Sequence, residues 1–328
     1  MNAVTVNEQH QLIDQPRPRP TPHGHDVRVS VLAVSVNPAD VKRVTRKGPI
    51  KPAVLGYDAV GEITGLGDAV TNFQIGQRVF YAGSSERDGS YADEQLVNDA
   101  LIALAPMNLP VADVAAMPLT WLTAAEILFE KIGYSWDVTA NQGHAILVIN
   151  GAGGVGSVLT QLAHLIGLTV FATSSPRNFD WLREHGVTFP MDYHADLVTQ
   201  VQQTGQTVDA SVNLYDGDQY FEETVKIVRP FGHLVNITPM TSPDTRLVMN
   251  KSQSLDWELM FTKSAWDFQP ATQGRWLAVL SELLTNGVIR STRTKTVTGK
   301  MNAKTVSEAQ AIVKQQRMTG KLVIRIKQ

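Results

Sequence analysis

Six consecutive residues, Gly151-Ala152-Gly153-Gly154-Val155-Gly156, have the types and spacing to cradle a phosphate. They read G-x-G-x-x-G between the apolar run 145–150 and a helical stretch, 155–166, that carries Val155, Leu159, Leu162, Leu165 and Ile166 on one side. In a strand-turn-helix, Gly151 makes the tight turn, Gly153 lets backbone approach a pyrophosphate, and Gly156 lets helix and strand pack closely. The helix opening at Gly154 and Val155 offers N–H groups and a positive dipole to the phosphates. The turn therefore predicts dinucleotide binding.

Which dinucleotide depends on the end of the next strand, where an Asp or Glu about 20 residues on would accept the ribose 2′-hydroxyl of NAD. The chain has Thr173-Ser174-Ser175-Pro176-Arg177-Asn178 there, and its next carboxylate is Asp180. The hydroxyls of Ser174 and Ser175 and the guanidinium of Arg177 suit a 2′-phosphate, which favours NADPH. The alternative is a solvated turn that caps the following helix. Tyr193 either packs on the adenine side or is a plain surface tyrosine. Ile237 and Thr238, at the C-terminal end of the fifth strand, and Met260 and Phe261, near the sixth, fall where ligands collect in open α/β sheets.

The elements that must position these residues alternate. Strands are predicted over 145–150, 168–172, 187–189, 208–214, 233–237 and 254–261, with helices over 155–166, 178–185 and 221–228 between them. Repeated βα units imply right-handed crossovers and a doubly wound parallel sheet. The first 120 residues read as mostly β. Residues 27–36 alternate as a half-buried strand, and glycines punctuate 54–97 as in a compact antiparallel barrel. A helix over 112–132 crosses into the α/β region, 275–285 is helical, and 321–327 is a strand returning to the barrel. The reading is a mostly β domain, 1–121 and 268–328, with a dinucleotide-binding domain, 122–267, inserted.

Composition closes off other classes. Of 328 residues, 29 are basic and 31 acidic, and no basic tract interleaves with aromatics, so no nucleic-acid partner is expected. No apolar run reaches the roughly 18 residues of a membrane span, and 1–15 lacks a signal-type core, so the expected location is the cytoplasm. Zero cysteines remove disulfides, thiol nucleophiles and thiolate metal sites together.

End to end, the chain resembles the medium-chain dehydrogenase/reductase superfamily. The pieces that carry the likeness are Ser35-Val36-Asn37-Pro38-Ala39-Asp40, Leu55-Gly56-Tyr57-Asp58-Ala59-Val60-Gly61, Gly76-Gln77-Arg78-Val79, Gly89-Ser90-Tyr91-Ala92, Leu122-Thr123-Ala124-Ala125, the glycine turn and Gly320-Lys321-Leu322-Val323. The stretch 257–264 is similar to the zinc-type alcohol dehydrogenase-like branch, close to zeta-crystallin-like quinone oxidoreductases. The resemblance implies a Rossmann domain inserted in a GroES-like barrel, and a homodimer paired through the 254–261 edge. Zinc members have a Cys near Asn37-Pro38, a His at the position of Tyr57 and a second Cys near the crossover. This chain has none of the three; His23 and His25 share a turn with Asp26 before the first barrel strand, and His144, His164, His185, His194 and His233 are dispersed, so no metal is expected.

Without zinc to polarise an alcohol, reduction is the easier chemistry. The expected reaction is hydride transfer from NADPH to a quinone or to the β-carbon of an α,β-unsaturated carbonyl, a small-molecule substrate. The resemblance places Asn37, Asp40 and Lys42 on the segment lining the interdomain cleft and sets Thr123 against the nicotinamide or its ribose. Lys42 or Tyr57 would supply the proton. Each has a structural alternative: Asp40 holding the loop, Asn37 capping the turn at Pro38, Thr123 bonding back within its helix. The other functional reading is an NADPH-binding redox sensor or accessory protein with little turnover.

Overall fold

The computed structural model describes residues 1–45, 53–315 and 317–327. The chain forms two compact units, Met1–Leu122 with Phe261–Gln328, and Thr123–Met260. The return to the first unit comes at Phe261, earlier than the boundary after 267 read from the sequence.

The first unit begins with an antiparallel hairpin, β1 (Asn2–Val6) and β2 (Leu12–Pro16), which the sequence pattern did not disclose. Next comes β3 (Asp26–Val36), with Val27, Val29 and Val31 buried in alternation and Ala33 to Val36 buried throughout. β4 (Ala59–Leu66), β5 (Arg78–Tyr81), β6 (Glu94–Asn98) and β7 (Ile102–Leu104) follow. Both β4 and β6 pair antiparallel with β3, which makes β3 the axis of the sheet.

The expected helix over 112–132 is interrupted. Two α-helices, Val111–Ala115 and Pro118–Ala125, precede a wider π-helical turn, Glu126–Ile132, that Gly133 ends at φ 84°. Pro118 cannot donate an N–H into a continuing helix, so a new one starts there.

The second unit is a six-stranded parallel sheet: β8 (Ala145–Ile149), β9 (Thr169–Ser174), β10 (Phe189–Asp192), β11 (Val208–Asn213), β12 (Val228–Asn236) and β13 (Ser254–Trp257). Its spatial order is β10-β9-β8-β11-β12-β13, the doubly wound arrangement with its reversal between β8 and β11. All five residues of β8 are buried, as a parallel strand covered on both faces requires. Leu147, Phe171, Tyr220, Phe221 and Leu234 are among the residues of its core. β13 is shorter than the 254–261 strand expected, because pairing with β12 stops at Trp257 and the chain turns towards helix Thr262–Ala265.

The chain then re-enters the first unit through helix Ala271–Thr285, β14 (Arg293–Gly299), helix Ala303–Lys314 and β15 (Lys321–Ile326). β15 pairs antiparallel with β3 and parallel with β14. The barrel sheet is thus mixed rather than wholly antiparallel, because the helix between β14 and β15 is a crossover that brings the chain back in the same direction.

Candidate functional site

Within the second unit the glycine turn stands beyond the C-terminal end of β8. Asn150 takes a positive φ of 66°, and its N–H donates to Thr173 Oγ1 at 2.9 Å while Gly151 N donates to Thr173 O at 2.9 Å. A Cβ on Gly151 would lie 2.6 Å from the Ala172 methyl, and one on Gly156 would overlap the carbonyl oxygens of Asn150 and Gly151. Gly153 is the N-cap of helix Gly154–Leu165, and Gly153, Gly154 and Val155 stay partly accessible. The first N–H groups of that helix have no intrahelical acceptor and suit a pyrophosphate. These residues fit a dinucleotide.

At the end of β9, Ser174 is buried and its Oγ accepts from Asn178 Nδ2 at 2.9 Å, with Ser175 at its edge and Arg177 exposed on the short turn Pro176–Asn178. Asp192 stands opposite Ser174 in the ladder. Its carboxylate accepts from the His194 N–H at 3.0 Å and pairs with His194 Nδ1 at 2.7 Å, and these bonds hold it below its ordinary range. Tyr193 is exposed, with its ring centroid 4.0 Å from that of His194. Ile237 N donates to Asn213 O at 3.3 Å. Thr238 Oγ1 accepts from Gly217 N at 3.1 Å, and Thr238 O accepts from Trp257 Nε1 at 3.1 Å, so both its oxygens tie strand ends together. Thr123 is buried on helix Pro118–Ala125. Met260 closes the second unit and Phe261 opens the return of the first.

Within the first unit a buried polar network joins β3, the 55–58 segment and β15. Asp58 Oδ2 accepts from Ser35 Oγ and, at 2.9 Å, from Asn37 Nδ2, while Asp58 Oδ1 accepts from Leu119 N at 2.6 Å. The Lys321 ammonium donates to Asn37 Oδ1 at 2.5 Å and lies 3.5 Å from Asp58 Oδ2. Burial pulls Lys321 below its ordinary range against the charges of Asp58 and Asp40. Asp40 Oδ2 accepts from Asn37 N at 2.7 Å and so closes the first turn of helix Pro38–Val44. Burial pushes Asp40 up to about 7, with the Tyr91 hydroxyl among the groups that lower it, although among the described residues neither Asp40 Oδ1 nor that hydroxyl has a partner within hydrogen-bond geometry.

Two of the four nominated catalytic residues, Asn37 and Asp40, are therefore tied into this network, and Lys42 is exposed one turn along the helix. Tyr57 has a different setting. Its hydroxyl accepts from Arg43 Nη1 at 3.0 Å, the same guanidinium nitrogen donates to Ser85 O at 3.0 Å, and the Phe261 ring centroid lies 4.4 Å from that of Tyr57. Arg43, Asp58 and Lys321 were not singled out in the sequence, although the latter two lie in the quoted motifs. A lone charged residue in a strand or helix pattern gives no sign that it is buried.

Among the described residues, no group of three or more His, Cys, Asp or Glu side chains gathers to hold a metal ion. A zinc site needs about three nitrogen, sulfur or carboxylate donors. Here a phenol capped by a guanidinium stands at the position of the family's histidine, and Asn37 is held between Asp58 and Lys321. These residues do not fit zinc.

Comparison with known proteins agrees with the architecture. The family model described as alcohol dehydrogenase GroES-like domain matches residues 23–105, and that described as zinc-binding dehydrogenase matches 185–324. A zinc-type alcohol dehydrogenase-like protein of Staphylococcus epidermidis (strain ATCC 12228 / FDA PCI 1200) is 38% identical over 306 residues, covering 92% of this chain and 91% of that one. A solved structure from Rhizobium etli CFN 42, provisionally named a zinc-dependent alcohol dehydrogenase, superposes with a TM-score of 0.93 at 34% identity, covering 99% of this chain and 98% of its own. The chloroplastic NADPH-dependent alkenal/one oxidoreductase of Arabidopsis thaliana is 33% identical over 242 residues, 69% of this chain and 58% of that protein. The chain belongs to the medium-chain dehydrogenase/reductase superfamily, in its zinc-type alcohol dehydrogenase-like branch, and is an oxidoreductase of a family that uses NAD(P)H.

Proposed function

We propose that the protein is a zinc-independent, NADPH-dependent reductase of quinones or α,β-unsaturated carbonyls. The observation that carries this reading is the pairing, in one chain, of a dinucleotide-binding glycine turn with a phenol and a guanidinium where a zinc reductase would keep metal donors. Bound NADPH would supply a hydride. Gly151 to Gly156 would hold its pyrophosphate, Ser174, Ser175 and Arg177 its 2′-phosphate, and Thr123, Ile237, Thr238, Met260 and Phe261 would flank the nicotinamide half. Tyr193 would border the adenine. The likeness to an alkenal/one oxidoreductase supports the enone arm of the acceptor class.

The same reading makes the protein a cytoplasmic homodimer joined through the outer strand β13, to be checked by light scattering. The direct test of the cofactor is paired titration of NADPH and NADH. We expect NADPH to bind at least tenfold more tightly and Arg177→Ala to remove most of the difference; equal affinities would refute the 2′-phosphate site. The ties of Asn37 and Asp40 to structural partners favour one competing reading, an NADPH-binding sensor. Tight binding with no oxidation by any acceptor would establish that reading instead.

A further inference from the structure

We infer that Arg43 and Tyr57 form a proton-donating pair, in which Arg43 orients and activates the Tyr57 hydroxyl to protonate the reduced acceptor; this rests on the reductase reading above. One hydrogen bond between them has a fixed direction. A guanidinium has donors and no acceptor, so the 3.0 Å contact can run only from Arg43 Nη1 to the phenol oxygen. The phenolic proton is then left for another acceptor. A second bond from the same nitrogen to Ser85 O fixes the guanidinium, and the Phe261 ring, tilted 43° against Tyr57, limits where the phenol can swing. The phenol is thus held with a cation on one side and its proton directed elsewhere.

The charged groups that act on Tyr57 have opposite effects. Burial, Asp40 and Glu86 raise its proton affinity, and Arg43 lowers it both by hydrogen bond and by charge. The net displacement is upward, so Tyr57 carries its proton at neutral pH. When an enone gains hydride at its β-carbon, the electron pair of the C=C bond moves onto the carbonyl oxygen as an enolate. The Tyr57 O–H bond breaks, its proton passes to the enolate, and the electron pair stays on the phenolate beside Arg43 until water returns a proton. Arg43 touches neither substrate nor cofactor in this scheme and is a positioning residue. The adjacent Lys42, which the sequence suggested for the proton, is exposed.

The test has two readouts. In the cofactor-free protein, the ultraviolet titration difference between wild type and Tyr57→Phe isolates the Tyr57 phenol. We expect Arg43→Gln to move that ionisation upward by roughly one pH unit and Arg43→Lys to move it back. An unmoved titration in a folded Arg43→Gln protein overturns the pairing. Should Arg43→Gln fail to fold, Arg43→Met takes its place, and loss of the guanidinium's bond and charge must again move the ionisation upward.

The second readout compares acceptors under saturating NADPH. An enone needs a proton to complete its reduction, whereas a quinone with a strongly acidic quinol can leave as the anion. Tyr57→Phe should lower the enone rate by roughly 100-fold, and Arg43→Gln by about tenfold, with the quinone rate falling at least tenfold less in Tyr57→Phe. Equal losses with both acceptors would overturn proton donation. A wild-type protein that oxidises NADPH with neither acceptor refutes the reductase reading, and the phenol titration still decides whether the pair exists.

Discussion

Burial pushes the Asp40 carboxyl from its ordinary 3.8 up to about 7, against the opposing pull of the Asn37 N–H and the Lys321 ammonium. In the unfolded chain it titrates near 4, so between about pH 4 and 7 the folded protein holds a proton that the unfolded chain has released. Stability must therefore fall as pH rises through that window and level off above it. The difference corresponds to on the order of 4 kcal/mol. Denaturant unfolding at pH 5 and pH 8 should show much of that loss in wild type and little of it in Asp40→Asn, which can still accept from Asn37 N. Equal losses in both would assign the slope to another group. Lys321 is the counterpart: Lys321→Met would leave Asp58 and Asp40 without their buried cation and should cost about 3–5 kcal/mol, read as a lowered unfolding midpoint. None of this was legible beforehand. Asp58 and Lys321 sit in motifs visible in the sequence, but a network between positions 58 and 321 exists only after β15 has paired with β3.

At the scale of elements, the legible parts are those whose pattern is local. The glycine turn, β8 and its helix follow one another within 22 residues of sequence, from 145 to 166, and each has a periodicity or glycine requirement of its own. Helix Leu197–Gln203 is not legible in the sequence because only Leu197 and Val201 are buried in it, too few for a periodic signal. Helix Ala303–Lys314 buries Thr305, Val306, Ala309 and Gln310, a stripe too small and too polar to read as a core face. The glycine turn yields a sharp prediction: Gly156→Ala places a methyl on the Asn150 and Gly151 carbonyls, and should weaken NADPH binding at least tenfold in a fluorescence titration. Retained affinity would show that the turn can relax or that the dinucleotide lies elsewhere. Behind the turn, Leu147 is fully buried in the sheet core, and Leu147→Ala should cost about 2–5 kcal/mol in denaturant unfolding.

At the scale of the molecule, the order of the chain was readable because a mostly β segment, an alternating α/β segment and a final strand differ in pattern. The return point was not, since 254–261 reads as a single strand of the α/β region and 262–270 has neither clear strand nor clear helix periodicity, whereas the return falls at Phe261. Zinc separates the central claim from the names of the relatives. The measurement that tests it is oxidation of NADPH by an enone and by a quinone, using protein exhaustively treated with a chelator and checked for metal. A zinc-independent reductase keeps its rate with at least one acceptor undiminished after chelation, and that rate does not rise when zinc is restored. Loss of turnover on chelation, with recovery on stoichiometric zinc, would contradict it.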